Sequence, residues 1–342
     1  MKKHLHIFLS FILLACTTGC EHLPDLIDLD KPHPNKPLVT PFASGLTAPI
    51  GIETDAQGRL WVTEAGTGLA DDGQLSLVTP QGTVYPVVTG FPSGLSPEGA
   101  VYGLNHLILR GNTLWMLHGV EGKLYKFDVS SFQPGDAPLQ ASELEYEDLG
   151  TFVKAYEFED DTNESDLFNL TTGPEGDLYI VDAGANAIIR RKNGTGELSI
   201  FAVVPPIPNP GGDPAQVESV PTGIVFDGQR FLVSTFTGFP FPQQQATIYE
   251  VDLQGNTSVY STGLKNITDI ELGMDKKPVV LEYGTWTGET FLENSGTIVR
   301  STQEKNTRLV TGLNFPNSIE RSGAKTYYVA QTFDGLIQKA IL

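Results

Sequence analysis

The stretch LYIVDAGANAIIRR (178–191), with ESVPTGIVF (218–226) and FLVSTFTGFPFP (231–242) after it, decides the fold. It shows one unit twice: a strand of alternating apolar residues, a polar or acidic residue, a glycine loop and a second short strand. The strand recurs as LWVTEAG (60–66), LWMLHG (114–119), VVLEYG (279–284) and YYVAQTF (327–333). Its centres are Val62, Met116, Ile180, Val233, Val280 and Val329, separated by 54, 64, 53, 47 and 49 residues. A period near fifty suits a four-stranded propeller blade and is too long for ankyrin or leucine-rich repeats. Tandem helical repeats fail on composition, because Val, Ile, Tyr and Thr alternate and glycine turns follow every few residues.

Each unit resolves into four strands; in the first these are PIGIETD, RLWVTEA, QLSLVTP and TVYPVVTG. The last unit, PNSIERSGAKTYYVAQTFDGLIQKAIL, holds only three. KPLVTPFASGL (36–46) reads like the outer strands TRLVTGL and TSVYSTGL, and so is expected to complete the last blade. Closure of that kind removes two free sheet edges. The expected fold is therefore all-β, a six-bladed β-propeller over residues 37–342 closed by its N-terminal strand.

Ahead of it, MKKHLHIFLSFILLACTTGC (1–20) has a basic start and an apolar run too short to span a bilayer, and reads as a signal peptide. Cys16 and Cys20 both resemble a lipobox cysteine, with Leu13 favouring Cys16 and Gly19 favouring Cys20. A lipid-anchored, exported protein of the bacterial cell envelope is expected, touching membrane only through that lipid. Residues 21–36, acidic and proline-rich, read as a tether. No cysteine follows Cys20, so the propeller has neither disulfide nor thiolate chemistry.

The formal charge is −19, which argues against nucleic acid and anionic membrane surfaces as partners. Acid is concentrated between Glu143 and Asp166, with ten carboxylates against Lys154 alone. Inside that insertion, Leu149, Phe152, Val153 and Tyr156 have helical spacing and predict a short helix packed on the rim.

Short turns join first to second strands, whereas long connections (90–103, 203–219, 235–246, 282–295) gather on the opposite face. Long loops on a rigid scaffold carry binding surfaces. On that face each second strand ends in Glu64, His118, Asp182, Thr235, Glu282 or Gln331, expected to circle a central channel. Inner strands begin with Asn105, His106, Asn169, Thr222, Thr268, Asp269 and Asn317. Such a set can hold ordered water, or it can ligate a hard cation such as calcium through Glu64, Asp182, Asp269 and Glu282. Phe236, Phe239 and Phe241, with the prolines of GFPFP, form either a hydrophobic lip for an aromatic ligand or a self-packed loop. GxSxG, HExxH, Walker and GxGxxG motifs are missing from the sequence.

YIVDAGANAIIRR (179–191), VPTGIVFDG (220–228), TGFPFP (237–242) and STGLKNITDIELG (261–273) together resemble the ScyD/ScyE family. So do AYE (155–157), GLTAPIGIETDAQGRLWVTEAGTG (45–68) and GLNFPNSI (312–319). The resemblance covers nearly the whole domain and implies an NHL-like six-bladed propeller exported to the envelope. Asp182, Asn186, Thr237 and Pro240 match the family pattern; ESDLFNL (164–170) departs from it, where the family tends to an Asn-Pro pair. The expected function is a binding module, without turnover, for a small polar or aromatic ligand or an envelope protein. The alternative is a metal-dependent lactonase-like hydrolase with a divalent ion in the channel.

Overall fold

The computed structural model describes residues 37–96, 99–160 and 162–342; the expected signal peptide, the Cys16 or Cys20 anchor and the tether lie outside them. Six sheets follow one another along the chain. Blade 1 comprises Pro49–Thr54, Leu60–Glu64, Gly73–Val78 and Val84–Phe91, from the axis outward. Blade 2 comprises Leu104–Arg110, Thr113–His118, Lys123–Asp128 and the short Tyr146–Asp148. Blade 3 runs Leu167–Thr172, Leu178–Asp182, Ala187–Arg191 and Leu198–Val203, and blade 4 Ser219–Phe226, Phe231–Thr237, Ala246–Val251 and Thr257–Leu264. Blade 5 has Ile267–Leu272, Pro278–Glu282, Gly296–Ser301 and Asn306–Leu313. Blade 6 has Pro316–Arg321, Thr326–Gln331 and Leu336–Ile341, and takes its outer strand, Leu38–Ser44, from the start of the domain. That strand pairs antiparallel with the last, from Leu38 opposite Ile341 to Ser44 opposite Leu336, so the ring is closed as expected.

Each sheet is sandwiched between its neighbours. Second strands are consequently buried on both faces, as in LWVTE, LYIVD and PVVLE, and read as continuous apolar runs. The core is divided in the same way, into six apolar clusters that each join two adjacent blades. At the closing joint, Ala43, Leu46, Tyr328, Ala330 and Ile337 of blade 6 and its flank meet Ile52, Leu60 and Val62 of blade 1.

Polar side chains tie the same joints together near the axis. In every blade the register between inner and second strands slips by one residue close to the start of the inner strand. A bulge of this kind re-aims side chains out of the sheet. Asn105 Nδ2 donates to Leu167 O (2.9 Å), Asn169 Nδ2 to Thr222 O (3.3 Å) and Thr222 Oγ1 to Ile267 O (2.7 Å). Thr268 Oγ1 donates to Pro316 O (3.0 Å), Thr332 Oγ1 to Pro49 O (3.0 Å) and Thr63 Oγ1 to Asn105 O (2.6 Å). All six joints thus carry a side-chain bond to a carbonyl of the next inner strand.

Two segments depart from the plain repeat. After Asp128 the chain crosses back, and Leu139–Gln140 pairs parallel with the outer strand of blade 1 before returning as the outer strand of blade 2. The predicted helix spans Gly150–Lys154, with Leu149 and Val153 buried among Leu117, Leu124 and Leu167. Asp148 accepts from Thr151 N (3.0 Å) and Oγ1 (2.7 Å) at its start. Tyr156 stays exposed, its ring tilted against Phe158 with centroids 4.7 Å apart.

Thr222→Val keeps the side-chain shape but removes the donor at the joint of blades 4 and 5. It is expected to cost about 1–2 kcal/mol, read as a lower urea midpoint at unchanged slope.

Candidate functional site

The six residues that end the second strands do not circle the channel, and the expectation is corrected. Each is hydrogen-bonded within its own blade or to the connection leading into it, and His118 Nδ1 and Gln331 Oε1 are left without a partner among the described residues. Glu64 accepts from Thr47 N (2.5 Å), Ser76 Oγ (2.5 Å) and Gln74 Nε2 (3.0 Å). Asp182 accepts from Ser165 Oγ (2.6 Å) and from the backbone of Asp166 (2.8 Å), Gly184 (3.0 Å) and Ala185 (3.0 Å). Glu282 accepts from Lys265 N (2.9 Å) and from Thr297 Oγ1. In three alternate blades, a carboxylate thus clamps the backbone just ahead of the inner strand. The other three positions do comparable work with neutral groups. Thr235 Oγ1 donates to Thr247 O (2.9 Å), His118 Nε2 donates to Pro92 O (2.9 Å) and Gln331 Nε2 donates to Asp334 (2.6 Å). Burial raises the Glu64 and Asp182 carboxyls above their usual range despite these donors, and lowers the His118 imidazole.

The channel, a cavity of about 110 Å³, is lined by inner-strand residues alone. At one level sit His106, Asn169, Asp269 and Ser318. Asp269 accepts from Asn169 Nδ2 (2.9 Å), Ile270 N (2.8 Å), Ile319 N (2.8 Å) and Ser318 Oγ (3.2 Å), which binds blades 3, 5 and 6 to one carboxyl. Burial pushes that carboxyl up to about 7 and the His106 imidazole down to about 3. His106 is therefore neutral, 4.0 Å from Asp269, and its Nε2 has no partner among the described residues. Asn317 likewise leaves its buried Oδ1 without a partner among the described residues.

Farther along the axis, Glu53, Glu271 and Glu320 line the same cavity. Sequence reading missed them, although a signal existed: GIE (51–53), DIE (269–271) and SIE (318–320) place Ile-Glu at one position of three inner strands. Burial pushes Glu53 up to about 8, and the neighbouring Glu271 charge adds to it. Glu320 is raised well above its usual range by burial and by Glu53 and Glu271, and Glu271 is raised by burial.

The carboxylates suspected as metal ligands are not brought together. Glu64, Asp182 and Glu282 are held in blades 1, 3 and 5, and only Asp269 faces the axis. Among the described residues no three His, Cys, Asp or Glu side chains have an arrangement that holds a metal ion. The residues present thus do not fit the calcium or other divalent ion that the sequence left open as an alternative to ordered water.

The long-loop face carries a different constellation. Its loops fold into small hairpins of their own: Gly94–Leu95 with Val101–Tyr102, Ile207–Pro208 with Gln216–Val217, and Thr285–Trp286 with Phe291–Leu292. Over blades 4 to 6 they assemble a continuous aromatic cluster. Phe241 packs on Phe236 (5.8 Å), Trp286 (5.0 Å) and Phe291 (5.4 Å), and Phe239 packs on Phe241 (5.8 Å). Tyr283 links Phe291 (5.1 Å) to Phe315 (5.3 Å), which touches Phe333 (5.3 Å). Phe239 is 71% exposed and Phe333 63% exposed. The two readings of GFPFP therefore both apply: Phe241 is the packed base and Phe239 the open tip.

Beside the lip, a cleft of about 560 Å³ lies between blades 3 and 4. Asn186 lines it in a left-handed conformation (φ 50°), its Nδ2 donating to Glu218 Oε1 at 3.3 Å. Glu218 also accepts at its backbone oxygen from Gly238 N (2.9 Å), the first residue of GFPFP. Cleft and lip therefore share an edge.

A fold and face of this kind define a class, the six-bladed β-propeller with an elaborated loop face. No protein-family model matches the chain, and no curated protein does. Solved structures match in fold. A structural genomics protein of unknown function from Bacteroides thetaiotaomicron aligns with a TM-score of 0.60 at 12% identity, over 89% of this chain and 76% of that one. A catalytically inactive form of virginiamycin B lyase from Staphylococcus aureus, with quinupristin, aligns at 0.53 and 15%, over 90% and 99%. The PQQ-bound aldose sugar dehydrogenase from Streptomyces coelicolor aligns at 0.58 and 12%, over 90% and 99%. Lyases and sugar dehydrogenases thus share this architecture, and at such identities the likeness is one of fold.

The channel glutamates set a pH dependence. A carboxyl whose folded pKa exceeds its unfolded value holds more protons in the native state, so stability falls as pH rises between the two values. For Glu53 that window runs from 4.5 to about 8, with the full contribution kept below it. Glu53→Gln, neutral at every pH, is expected to stabilise the protein relative to wild type more at pH 8 than at pH 5. Paired denaturant titrations at the two pH values check this.

Proposed function

We propose that this chain is a binding module of the bacterial cell envelope, of ScyD/ScyE type, whose long-loop face takes up an aromatic ligand. The observation that carries the reading is the aromatic cluster over blades 4 to 6, with Phe239 and Phe333 open at its rim. Soluble proteins rarely leave such rings in a contiguous exposed patch without a use for it. Hairpin loops and mutual ring packing hold the base of the patch in place, so little ordering cost attends binding. Flat rings favour aromatic partners through offset and edge-to-face contacts. The hydrolase reading depended on four carboxylates meeting at a channel ion, and three of them, Glu64, Asp182 and Glu282, are held in separate blades away from Asp269. The lipobox-like start supports a lipid anchor at Cys16 or Cys20.

Titrating the purified protein with indole and with p-cresol, followed by aromatic side-chain NMR, tests the reading. Shifts are expected first at Phe239 and Phe333. Phe239→Ala is expected to weaken binding about tenfold with little change in stability. Phe241→Ala, at the packed base, is expected to lower stability by about 2–4 kcal/mol as well. Equal binding by wild type and Phe239→Ala would remove the basis of the proposal.

A further inference from the structure

The cleft between blades 3 and 4 has a composition unlike the rest of the face. Its walls are apolar: Phe158, Val203, Val204, Pro205, Pro206 and Val217. Its rim holds three carboxylates, Glu159 and Asp160 from the acidic insertion and Glu218 from the lead-in to blade 4, and no lysine or arginine lines it. None of the three is in an ion pair among the described residues. The insertion is anchored, because its helix buries Leu149 and Val153, and Thr162 Oγ1 donates to Gly184 O (2.7 Å). Glu159 and Asp160 are therefore held against blade 3 between two fixed points. On the opposite wall, the Asn186 amide holds the Glu218 carboxylate.

We infer that this cleft receives an organic cation carrying an apolar body, such as an amine or guanidinium on an aliphatic or aromatic frame. An apolar cavity of this size takes up a small-molecule body, and a few polar groups fix which one enters. Here the charged groups are all carboxylates, so an anion is repelled and a neutral molecule gains less from the rim than a cation does. Carboxylates at a partly open rim attract a cation modestly and lose strength with salt. The apolar walls supply the remaining affinity by burial. The inference deepens the aromatic-ligand reading, since Glu218 joins the cleft to the GFPFP loop at Gly238.

Three isosteric probes separate the two claims: 4-phenylbutylamine, 4-phenylbutanol and 4-phenylbutyrate, each titrated into the protein at low salt and at about 0.5 M NaCl. The amine is expected to bind about fivefold more tightly than the alcohol, and the acid most weakly, with the gap closing at high salt. Glu218→Gln, which keeps the Gly238 backbone bond, is expected to close most of the gap for the amine and leave the alcohol unchanged. Asn186→Gly suits the left-handed backbone and frees Glu218, so it is expected to narrow the gap partly. If the three probes bind alike and all depend on Phe239, the cation inference is overturned while the aromatic reading stands. If the amine preference persists in Phe239→Ala and all three affinities are unchanged there, the cleft stands and the lip fails. No binding of the amine up to about 10 mM overturns the inference outright.

Discussion

The structure depends on six polar ties around its axis. At each joint a threonine or asparagine gives a hydrogen bond to a carbonyl of the neighbouring inner strand, from Thr63 round to Thr332. Apolar burial between blades supplies bulk attraction but no direction. A propeller needs direction, because sheets that slide past one another by a residue lose closure. The ties provide it by matching a donor to one carbonyl, and leaving that carbonyl unpaired in a dry joint costs more than the bond contributes. Four of the six acceptors, Leu167, Ile267, Pro316 and Pro49, are the first residues of their inner strands. In those four blades the tie thus sets where the inner strand begins as well as which blade it faces.

A second set of polar groups serves the face above. Glu64, Asp182 and Glu282 hold the backbone leading into blades 1, 3 and 5, sixteen or seventeen residues upstream of themselves. Burying a carboxylate is costly unless several donors meet it, and here two to four do. Repetition of this device in alternate blades explains why acids recur at one place in the repeat without forming a common site. Fixed lead-ins in turn give the long loops firm ends, and the hairpins within them supply the rest of their order.

Chemistry is divided between the two ends of the scaffold. The channel is narrow and acidic, and burial and mutual repulsion push its carboxyls above their usual range. The loop face is open, with exposed rings over blades 4 to 6 and a cleft walled by valine and proline between blades 3 and 4. Gly238 and Glu218 join ring patch and cleft through one backbone bond, so ligand recognition there can use both apolar contact and charge.

The sequence by itself determined the repeat, the number of blades, the closing strand at 38–44 and the helix near Val153. Period, alternation and turn chemistry are local, and a chain that repeats them six times has one way to bury all its sheets. It also marked the aromatic loop, since three phenylalanines with prolines crowd one short segment. The directions of the polar residues were decided by tertiary structure alone. A second-strand end and an inner-strand start lie side by side in the repeat, and only the bulge in register determines which faces the axis. That is why Asp269 reached the channel while Glu64, Asp182 and Glu282 turned back into their own blades, and why Glu53, Glu271 and Glu320 appear beside it. The crossing of Leu139–Gln140 to blade 1 and the placing of Glu159 and Glu218 on one cleft bring distant segments together. No local pattern encodes such contacts; packing does.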